Sequence, residues 1–208
     1  MLFNKKIGKV IYNRIRYYVT RTRKEDKTFL NLRGLGLESI EDVVGLAELE
    51  DLQVLNLSRN RIEKISGLDT LTNLEILYLN NNAITEISGL DNLVNLKRLN
   101  LSRNRIREIS GLDNLGNLEV LDLGLNLIST IEGLDSLKNL RILNLEKNTI
   151  EVITSLGDLP KLEKVNLRSN NIEQVPDISS MDNLTKIILK DNDIDPTRLR
   201  QFKIKKRV

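Results

Sequence analysis

The side chains that most often carry out catalysis or hold metals are scarce in this sequence of 208 residues. It contains no histidine and no cysteine, so the commonest general base, a thiolate nucleophile and the commonest transition-metal ligands are all missing. A disulfide framework is excluded for the same reason, which is compatible with a reducing compartment. We therefore predict that the protein is not an enzyme.

Two short clusters have the residue types of a ligand site but lack its spacing. Asp191, Asp193 and Asp195 alternate as calcium-binding acids do, yet neither the loop glycine nor the terminal glutamate of a calcium loop follows. Gly34 and Gly36 lack the other residues of either nucleotide-binding fingerprint. The sequence therefore predicts no metal, no cofactor and no small-molecule substrate.

The dominant pattern is an internal repeat of 22 residues, in which leucine recurs in one column and asparagine in another. The leucine column is Leu52, Leu74, Leu96, Leu118, Leu140, Leu162 and Leu184, and the asparagine column is Asn60, Asn82, Asn104, Asn126, Asn148, Asn170 and Asn192. Within each unit, leucines alternate with other residues, as Leu77 and Leu79 do with Ile76 and Tyr78. This period of two predicts a short strand with the leucines in the core, and the asparagine is expected to bond backbone groups at the bend that follows.

This unit, L-x-x-L-x-L-x-x-N-x-I-x-x-I-x-x-L-x-x-L, resembles the leucine-rich repeat in its short 22-residue class, over roughly residues 29–195. The resemblance implies an α/β fold: a right-handed, horseshoe-shaped solenoid of about eight repeats with a parallel sheet on its concave side. Loose helical or 3₁₀ segments are expected on the outer side. Single repeats cannot bury a core, so neighbouring repeats must stabilise one another and the ends need caps.

Charge divides the chain into three parts. Residues 1–28 carry nine Lys and Arg against two acids, residues 29–195 carry 17 against 27, and residues 196–208 carry six against none. We expect a basic N-terminal capping segment, an acidic solenoid and a basic C-terminal cap or tail with these boundaries.

Both terminal segments are predicted to be helical. In the first, apolar residues spaced by three and four predict an amphipathic helix that covers the first repeat: Phe3, Ile7, Val10, Ile11, Ile15 and Tyr18. The alternative is that its cationic face binds an acidic membrane or partner. In the second, Asp195 and Pro196 form a helix start, and Leu199, Phe202 and Ile204 would close the stack. The basic residues that follow could instead be a solvated tail, a localisation signal or an anion-binding patch.

Function is expected on the strands, because their outward side chains are not committed to the core. Tyr78 is the only tyrosine of the repeats and Arg98 follows it by one repeat, and these two residue types are favoured in binding patches. Leu125 and Leu127 stand where other repeats are mostly polar, and an added apolar patch usually contacts something. The predicted partner-binding residues are Val54, Ile76, Tyr78, Arg98, Val120, Asp122, Leu125, Leu127 and Ile142. The alternative is that the β-branched residues reflect only strand propensity.

The family resemblance implies a scaffold that binds a partner protein on the concave strand face, and a regulatory subunit is one form of such a scaffold. The chain looks more like intracellular members, such as the regulatory subunit of type-1 protein phosphatase or the axonemal dynein light chain, than like secreted internalins. No secretory signal is apparent, so we expect a cytoplasmic protein. We also expect it to be a monomer. The alternative is an adaptor whose basic ends dock on an anionic membrane or nucleic acid, although the acidic body would repel phosphate.

Overall fold

Short parallel strands dominate the computed structural model, which describes residues 8–22, 26–153, 156, 159–174, 181–195 and 197. In chain order the strands are β1 (Lys9–Tyr12), β2 (Ile15–Tyr18), β3 (Thr20–Arg21), β4 (Thr28–Asn31), β5 (Val54–Asn56), β6 (Ile76–Tyr78), β7 (Arg98–Asn100), β8 (Val120–Asp122), β9 (Ile142–Asn144), β10 (Lys164–Asn166) and β11 (Lys186–Ile188). Strands β4 to β11 form one parallel sheet in sequential order, and β3 adds to its first edge in the antiparallel sense. We call the chain from one parallel strand to the next a coil, so that coil 1 begins at β4 and coil 8 at β11.

The pairing register places the same repeat position of consecutive coils side by side. Leu55 pairs with Leu77, and Leu77 pairs with Leu99, so the inward side chains of successive coils stack into one continuous core. Coil 3 is representative, because its inward aliphatic side chains are at most 3% exposed. They are Leu77, Leu79, Ile84, Ile87, Leu90, Leu93 and Leu96. The predicted solenoid of stacked parallel strands is confirmed.

The outer side of each coil is a succession of tight turns. In coil 2 the amide of Leu71 donates to the carbonyl of Leu68 at 3.0 Å, and the amide of Leu74 donates to that of Leu71 at 3.0 Å. This three-residue spacing is that of a 3₁₀ turn. A helix is not formed on the outer side of the described coils, and the helical part of the α/β prediction is therefore not found there.

The N-terminal segment caps the sheet as a β-hairpin, so the predicted helix is wrong over residues 8–22. Strands β1 and β2 pair in register from Lys9 opposite Tyr18 to Tyr12 opposite Ile15. The two turn residues, Asn13 and Arg14, have φ of 49° and 63°, as a two-residue hairpin turn requires.

The hairpin still covers the first coil, because one of its faces is apolar. Val10 is fully buried, and Tyr12 and Tyr17 pack against the core cluster. Ile11 and Ile15, which were expected to cover the first repeat, are exposed, as is Tyr18. Ile11 and Tyr18 lie on the face opposite to Val10, and Ile15 lies next to the turn. The β-branched residues favour a strand. Phe3 and Ile7, which were also assigned to the cap, lie outside the described residues.

The predicted C-terminal helix lies outside the described residues except at its first turn. Asp195 accepts hydrogen bonds from the amide of Thr197 at 2.7 Å and from its hydroxyl at 2.5 Å. This is the arrangement of a residue that caps a helix start. Leu199, Phe202 and Ile204 are not among the described residues.

Candidate protein-binding surface

A buried ladder of asparagines fixes the end of each parallel strand. Asn104 accepts a hydrogen bond from the amide of Ile84 at 3.1 Å and donates to the carbonyls of Leu79 and Leu101 at 3.1 and 2.8 Å. Its equivalents in coil 3 and in coils 5 to 8 make the same contacts. Since two of the three backbone groups belong to the preceding coil, each asparagine joins neighbouring coils as well as closing its own bend.

The chain bends sharply beside this ladder, and the bends of successive coils form one edge of the solenoid. The residue before each ladder asparagine has positive φ, as Arg59 does at 58° and Leu125 at 57°. Its amide donates to the next coil: Arg59 to Asn80 at 2.9 Å, and Leu125 to Glu146 at 2.7 Å. We call the outward residues of these bends, at positions 59, 61 and 63 and their equivalents in coils 3 to 8, the loop edge.

The strand face is the outward side of the parallel sheet. Its first column contains Arg98 and four other predicted site residues. They are Val54, Ile76, Val120 and Ile142. Val54 and Ile76 are only 5% and 7% exposed, so the expectation that both face solvent is wrong. In register, Val54 lies between Phe29 and Ile76, and Ile76 lies between Val54 and Arg98. Large neighbours on both sides cover these two side chains.

Exposure in this column begins at coil 4. Arg98 is exposed, Val120 is half-buried and Ile142 is 37% exposed. Beyond them, Lys164 and Lys186 are exposed. The accessible part of the predicted apolar stripe is therefore shorter than expected and continues into a basic end.

The second column of the strand face is largely polar and half-buried. Tyr78 pairs in register with Asn56 on one side and Asn100 on the other. Asn100 accepts hydrogen bonds from the amide and hydroxyl of Ser102 at 3.0 and 2.7 Å. The aromatic ring of Tyr78 thus stands in a row of short amide side chains, and it remains partly accessible.

Asp122 interrupts this row of amides with a carboxyl group. It accepts hydrogen bonds from the amide of Gly124 at 3.1 Å and from the side chain of Asn144 at 2.8 Å. Burial raises the pKa of Asp122 above its ordinary value, and Glu146 raises it further, whereas the bonds from Gly124 and Asn144 act in the opposite direction. The centre of the strand face therefore carries an acid in an environment that disfavours its charge.

Gly124 makes this arrangement possible. A Cβ at that position would lie 2.9 Å from the side-chain nitrogen of Asn144 and 3.3 Å from a carboxyl oxygen of Asp122. The corresponding residue is serine in coils 2 and 4, where an amide replaces the carboxyl group. We did not predict this coupling between Asp122, Gly124 and Asn144, although the simultaneous change at positions 122 and 124 was visible in the repeat.

A third outward column, one residue before the first, consists of paired charges. Glu75 accepts from Gln53 at 3.1 Å and from Lys97 at 2.8 Å, and Arg141 donates to Glu163 at 2.8 Å. The bond from Lys97 lowers the pKa of Glu75; burial opposes this shift, and Lys27 at 3.2 Å reinforces it. Sequence reasoning missed this charged column. Its signal is the alternation of acidic and basic residues at intervals of 22 positions.

The two added leucines of coil 5 lie on the loop edge and not on the strand itself. Leu125 is half-buried, and Leu127 is 41% exposed. They therefore border the strand face at the coil that carries Asp122.

The described residues contain no group of three or more histidine, cysteine, aspartate or glutamate side chains that could hold a metal ion. Nor does any helix within them have the length and apolar character needed to cross a membrane.

Comparison with known proteins identifies the repeat. The family model for leucine-rich repeats, in its two-copy form, matches residues 50–92, 72–114, 94–136 and 138–180. No curated protein sequence matches the chain significantly.

Solved structures with the same architecture include two internalins of Listeria monocytogenes, the type to which we expected less similarity. One, internalin F, is 32% identical with a TM-score of 0.75, and the match covers 89% of this chain and 54% of that one. Internalin C2 is 32% identical with a TM-score of 0.73 over 82% of this chain and 75% of that one. A leucine-rich-repeat protein of Leptospira interrogans is 30% identical with a TM-score of 0.71, over 76% and 42%. The chain thus spans about half the length of internalin F.

Proposed function

Because the chain belongs to the leucine-rich-repeat family, we propose that it is a non-catalytic scaffold whose strand face binds a partner protein. One observation carries the proposal: inward positions keep the same residue type from coil to coil, whereas outward positions of the same strands do not. Leu77, Leu99, Leu121 and Leu143 are all leucine and buried, but their outward neighbours change between apolar, cationic, amide and acidic types. Outward variety of this kind is not needed to build the core, and it suits recognition.

The exposed residues suggest the chemistry of the partner surface. Arg98, Val120 and Ile142 provide an accessible centre that combines apolar and cationic groups, and Tyr78 lies beside it. Lys164 and Lys186 extend the face with positive charge. A partner surface with an apolar centre and a flanking acidic patch is complementary to this arrangement.

The test is affinity capture from an extract of the source organism, with the wild type and a Tyr78→Ala plus Arg98→Glu variant as baits. We expect at least one protein that the wild type retains and the variant loses, and purified partner should bind the variant at least tenfold more weakly. Both side chains are accessible, so the variant should fold. A variant with Asp113→Arg, in an exposed outer turn, is the control and should retain the partner. Capture of the same proteins by all three baits would place the site elsewhere.

A second candidate, an adaptor that docks through basic ends, draws support from the outward face of the N-terminal hairpin. Lys9, Ile11, Arg16 and Tyr18 share that face and are exposed, and Val44, 65% exposed, is bridged to Ile11. Cations interspersed with exposed apolar side chains suit the surface of an anionic membrane.

Vesicles of anionic lipid, and in parallel a nucleic-acid duplex, test this candidate with Lys9→Glu plus Arg16→Glu as the variant. Point changes are preferable to removal of residues 1–28, because truncation would also remove the buried Val10. The adaptor predicts vesicle binding that the variant loses. Equal, negligible binding by both chains would exclude it.

A regulatory subunit is a narrower form of the scaffold proposal, and the cytoplasmic location likewise stays a prediction from composition. Neither changes which residues the capture experiment addresses.

A further inference from the structure

The loop edge is polarised along the stack of coils: coils 2 to 4 carry five cations and one acid, Glu63, whereas coils 6 to 8 carry five acids and one cation, Lys147. The cations of coils 2 and 4 are Arg59, Arg61, Arg103, Arg105 and Arg107, all exposed. The acids of coils 6 to 8 are Glu151, Glu173, Asp191, Asp193 and Asp195, all exposed. Leu125 and Leu127 lie between them in coil 5.

At equal distances from coil 5, three of the five pairs of charged loop-edge positions have opposite signs: 59 with 191, 61 with 193, and 107 with 151. Coils 2 and 8 are each three strands away from β8, which corresponds to roughly 14 Å at about 4.8 Å per strand. Coil 3, with Asn81 and Ala83, and coil 7, with Ser169 and Asn171, are uncharged at the first two loop-edge positions. If two copies were related by a two-fold axis through coil 5, the arginines of coil 2 in one copy would lie opposite the aspartates of coil 8 in the other.

We propose that two copies of this chain associate antiparallel through their loop edges, about a two-fold axis at coil 5. Arg59 and Arg61 of each copy then face Asp191 and Asp193 of the other, and the leucines of coil 5 meet their own counterparts. An interface of this kind is self-complementary, because each contact occurs twice. The proposal gives Leu125 and Leu127 a role that is independent of the strand-face partner.

Existing contacts bear most directly on Arg61 and Asp191. Arg61 lies 3.8 Å from Glu38, with both side chains about three-quarters exposed at 75% and 76%, which is a weak surface pair. Asp191 already accepts from Arg168 at 2.9 Å, so Asp193 is the acid on which the contact chiefly depends. Arg61 lines an open groove of about 830 Å³ together with the cations Lys64 and Arg105 and the acids Glu38, Glu41 and Glu63. The groove has room for a side chain of a second copy, but its lining is balanced in charge.

Two contacts between like charges oppose the arrangement: Glu63 of coil 2 would face Asp195 of coil 8, and the other lies between coils 4 and 6. Lys147 would face Arg103, whereas Glu151 of the same coil would face Arg107. With exposed ion pairs and a small apolar centre, the dimer should be weak and sensitive to salt.

Sedimentation velocity of the full chain, over a concentration series at low and at high salt, measures this association. We expect reversible dimer formation at low salt that raised salt weakens. Arg61→Glu and Asp193→Arg should each weaken self-association at least tenfold, because each variant brings like charges together twice.

Charge exchange distinguishes a direct contact between positions 61 and 193 from a general effect of net charge on association. In an equimolar mixture of the two variants, Glu at position 61 of one chain faces Arg at position 193 of the other, and the reciprocal contact is the native one. Dimers should therefore return in the mixture, and also in the single chain that carries both substitutions.

Two further chains serve as controls. Arg98→Glu lies on the strand face and Asp113→Arg in an outer turn, so both should dimerise as the wild type does. A monomeric wild type at low salt, unaffected variants, or a mixture that stays monomeric would each overturn the proposal. Loss of association in Arg98→Glu would do so as well, because it would assign the contact to the strand face. Circular dichroism of each variant confirms that the fold is retained.

Discussion

The inward and outward sides of the same coil obey different rules. Inward, leucine, isoleucine and the ladder asparagine recur at intervals of 22 residues, because each must pack on its counterpart in the next coil. Outward, the column that holds the aliphatic residues Val120 and Ile142 also holds the cations Arg98, Lys164 and Lys186. In a stacked fold, therefore, residues that recur at the 22-residue interval are structural, and residues that depart from the repeat are candidates for recognition.

Removing a ladder side chain should have the largest effect on stability. Asn126 accepts from the amide of Ile106 at 3.1 Å and donates to the carbonyls of Leu101 and Leu123 at 3.1 and 3.0 Å. Asn126→Ala leaves these groups unpaired inside the coil, so we expect a loss of about 3–5 kcal/mol in the free energy of unfolding. Denaturant titration followed by circular dichroism measures it.

Asn114→Ala is the matched control for the ladder. Asn114 is exposed and donates one bond, to the carbonyl of Asp91 at 3.2 Å, so its loss should cost under about 0.5 kcal/mol. Equal effects of the two substitutions would show that inward position does not determine the role of asparagine.

Two glycines of coil 4 allow a position in close contact with the preceding coil to be compared with a position in open space. Gly111 has φ of 63°, and an added Cβ would overlap the carbonyl oxygen of Ile87 in the preceding coil. Gly116 has no atom within 4 Å of an added Cβ. Gly111→Ala should therefore cost about 2–3 kcal/mol, and Gly116→Ala should lie within about 0.5 kcal/mol of the wild type. Thermal unfolding of both variants measures this difference in stability. Similar melting temperatures would contradict the tight contact between coils.

The paired charges of the strand face should contribute less to the free energy of unfolding, and their contribution should depend on pH. The pKa of Glu75 is lowered in the folded protein, so its contribution is complete above the ordinary glutamate pKa and is lost as pH falls through the lowered value. Glu75→Gln should cost about 0.5–1 kcal/mol near neutral pH. The difference from wild type should vanish in acid. A difference that does not change with pH would mean that Glu75 acts through packing alone.

The smallest effect should come from Asp122, with the opposite sign. Since the pKa of Asp122 is raised in the folded protein, stability falls as pH rises from the ordinary aspartate pKa through the raised value. Asp122→Asn should therefore be more stable than the wild type by a few tenths of a kcal/mol at neutral pH, about 1 °C in melting temperature. This gain should disappear in acid, where the wild-type carboxyl group is protonated. A destabilised variant at neutral pH would show that the bonds from Gly124 and Asn144 need the charge.

The repeat made the core and the sheet predictable, because position within the 22-residue unit determines which side of the coil a residue occupies. Leu77, Leu79 and the ladder asparagines lie where the pattern places them. Exposure on the outward side was less predictable, since it depends on neighbours in adjacent coils. Val54 is buried between Phe29 and Ile76, and Ile76 between Val54 and Arg98. Phe29, at the start of this column, lies in an irregular first coil.

The N-terminal cap shows a different limit. The apolar residues around Val10 and Ile15 satisfy helical spacing and strand spacing together, and only pairing with the first coil selects between them. The bridge between Ile11 and Val44, with backbone bonds of 3.0 Å in both directions, supplies that selection. Contacts between distant parts of the sequence decide such a segment, and a short pattern does not contain them.

The most direct test of the outward side is photo-crosslinking from single positions. A benzophenone amino acid replaces Tyr78 on the strand face in one chain and Asp113 on the outer turns in another, and each is irradiated in an extract of the source organism. We predict a discrete covalent adduct from position 78 that position 113 does not give, and that excess unlabelled wild type suppresses. The same adducts from both positions, or an adduct from position 113 alone, would contradict recognition by the strand face.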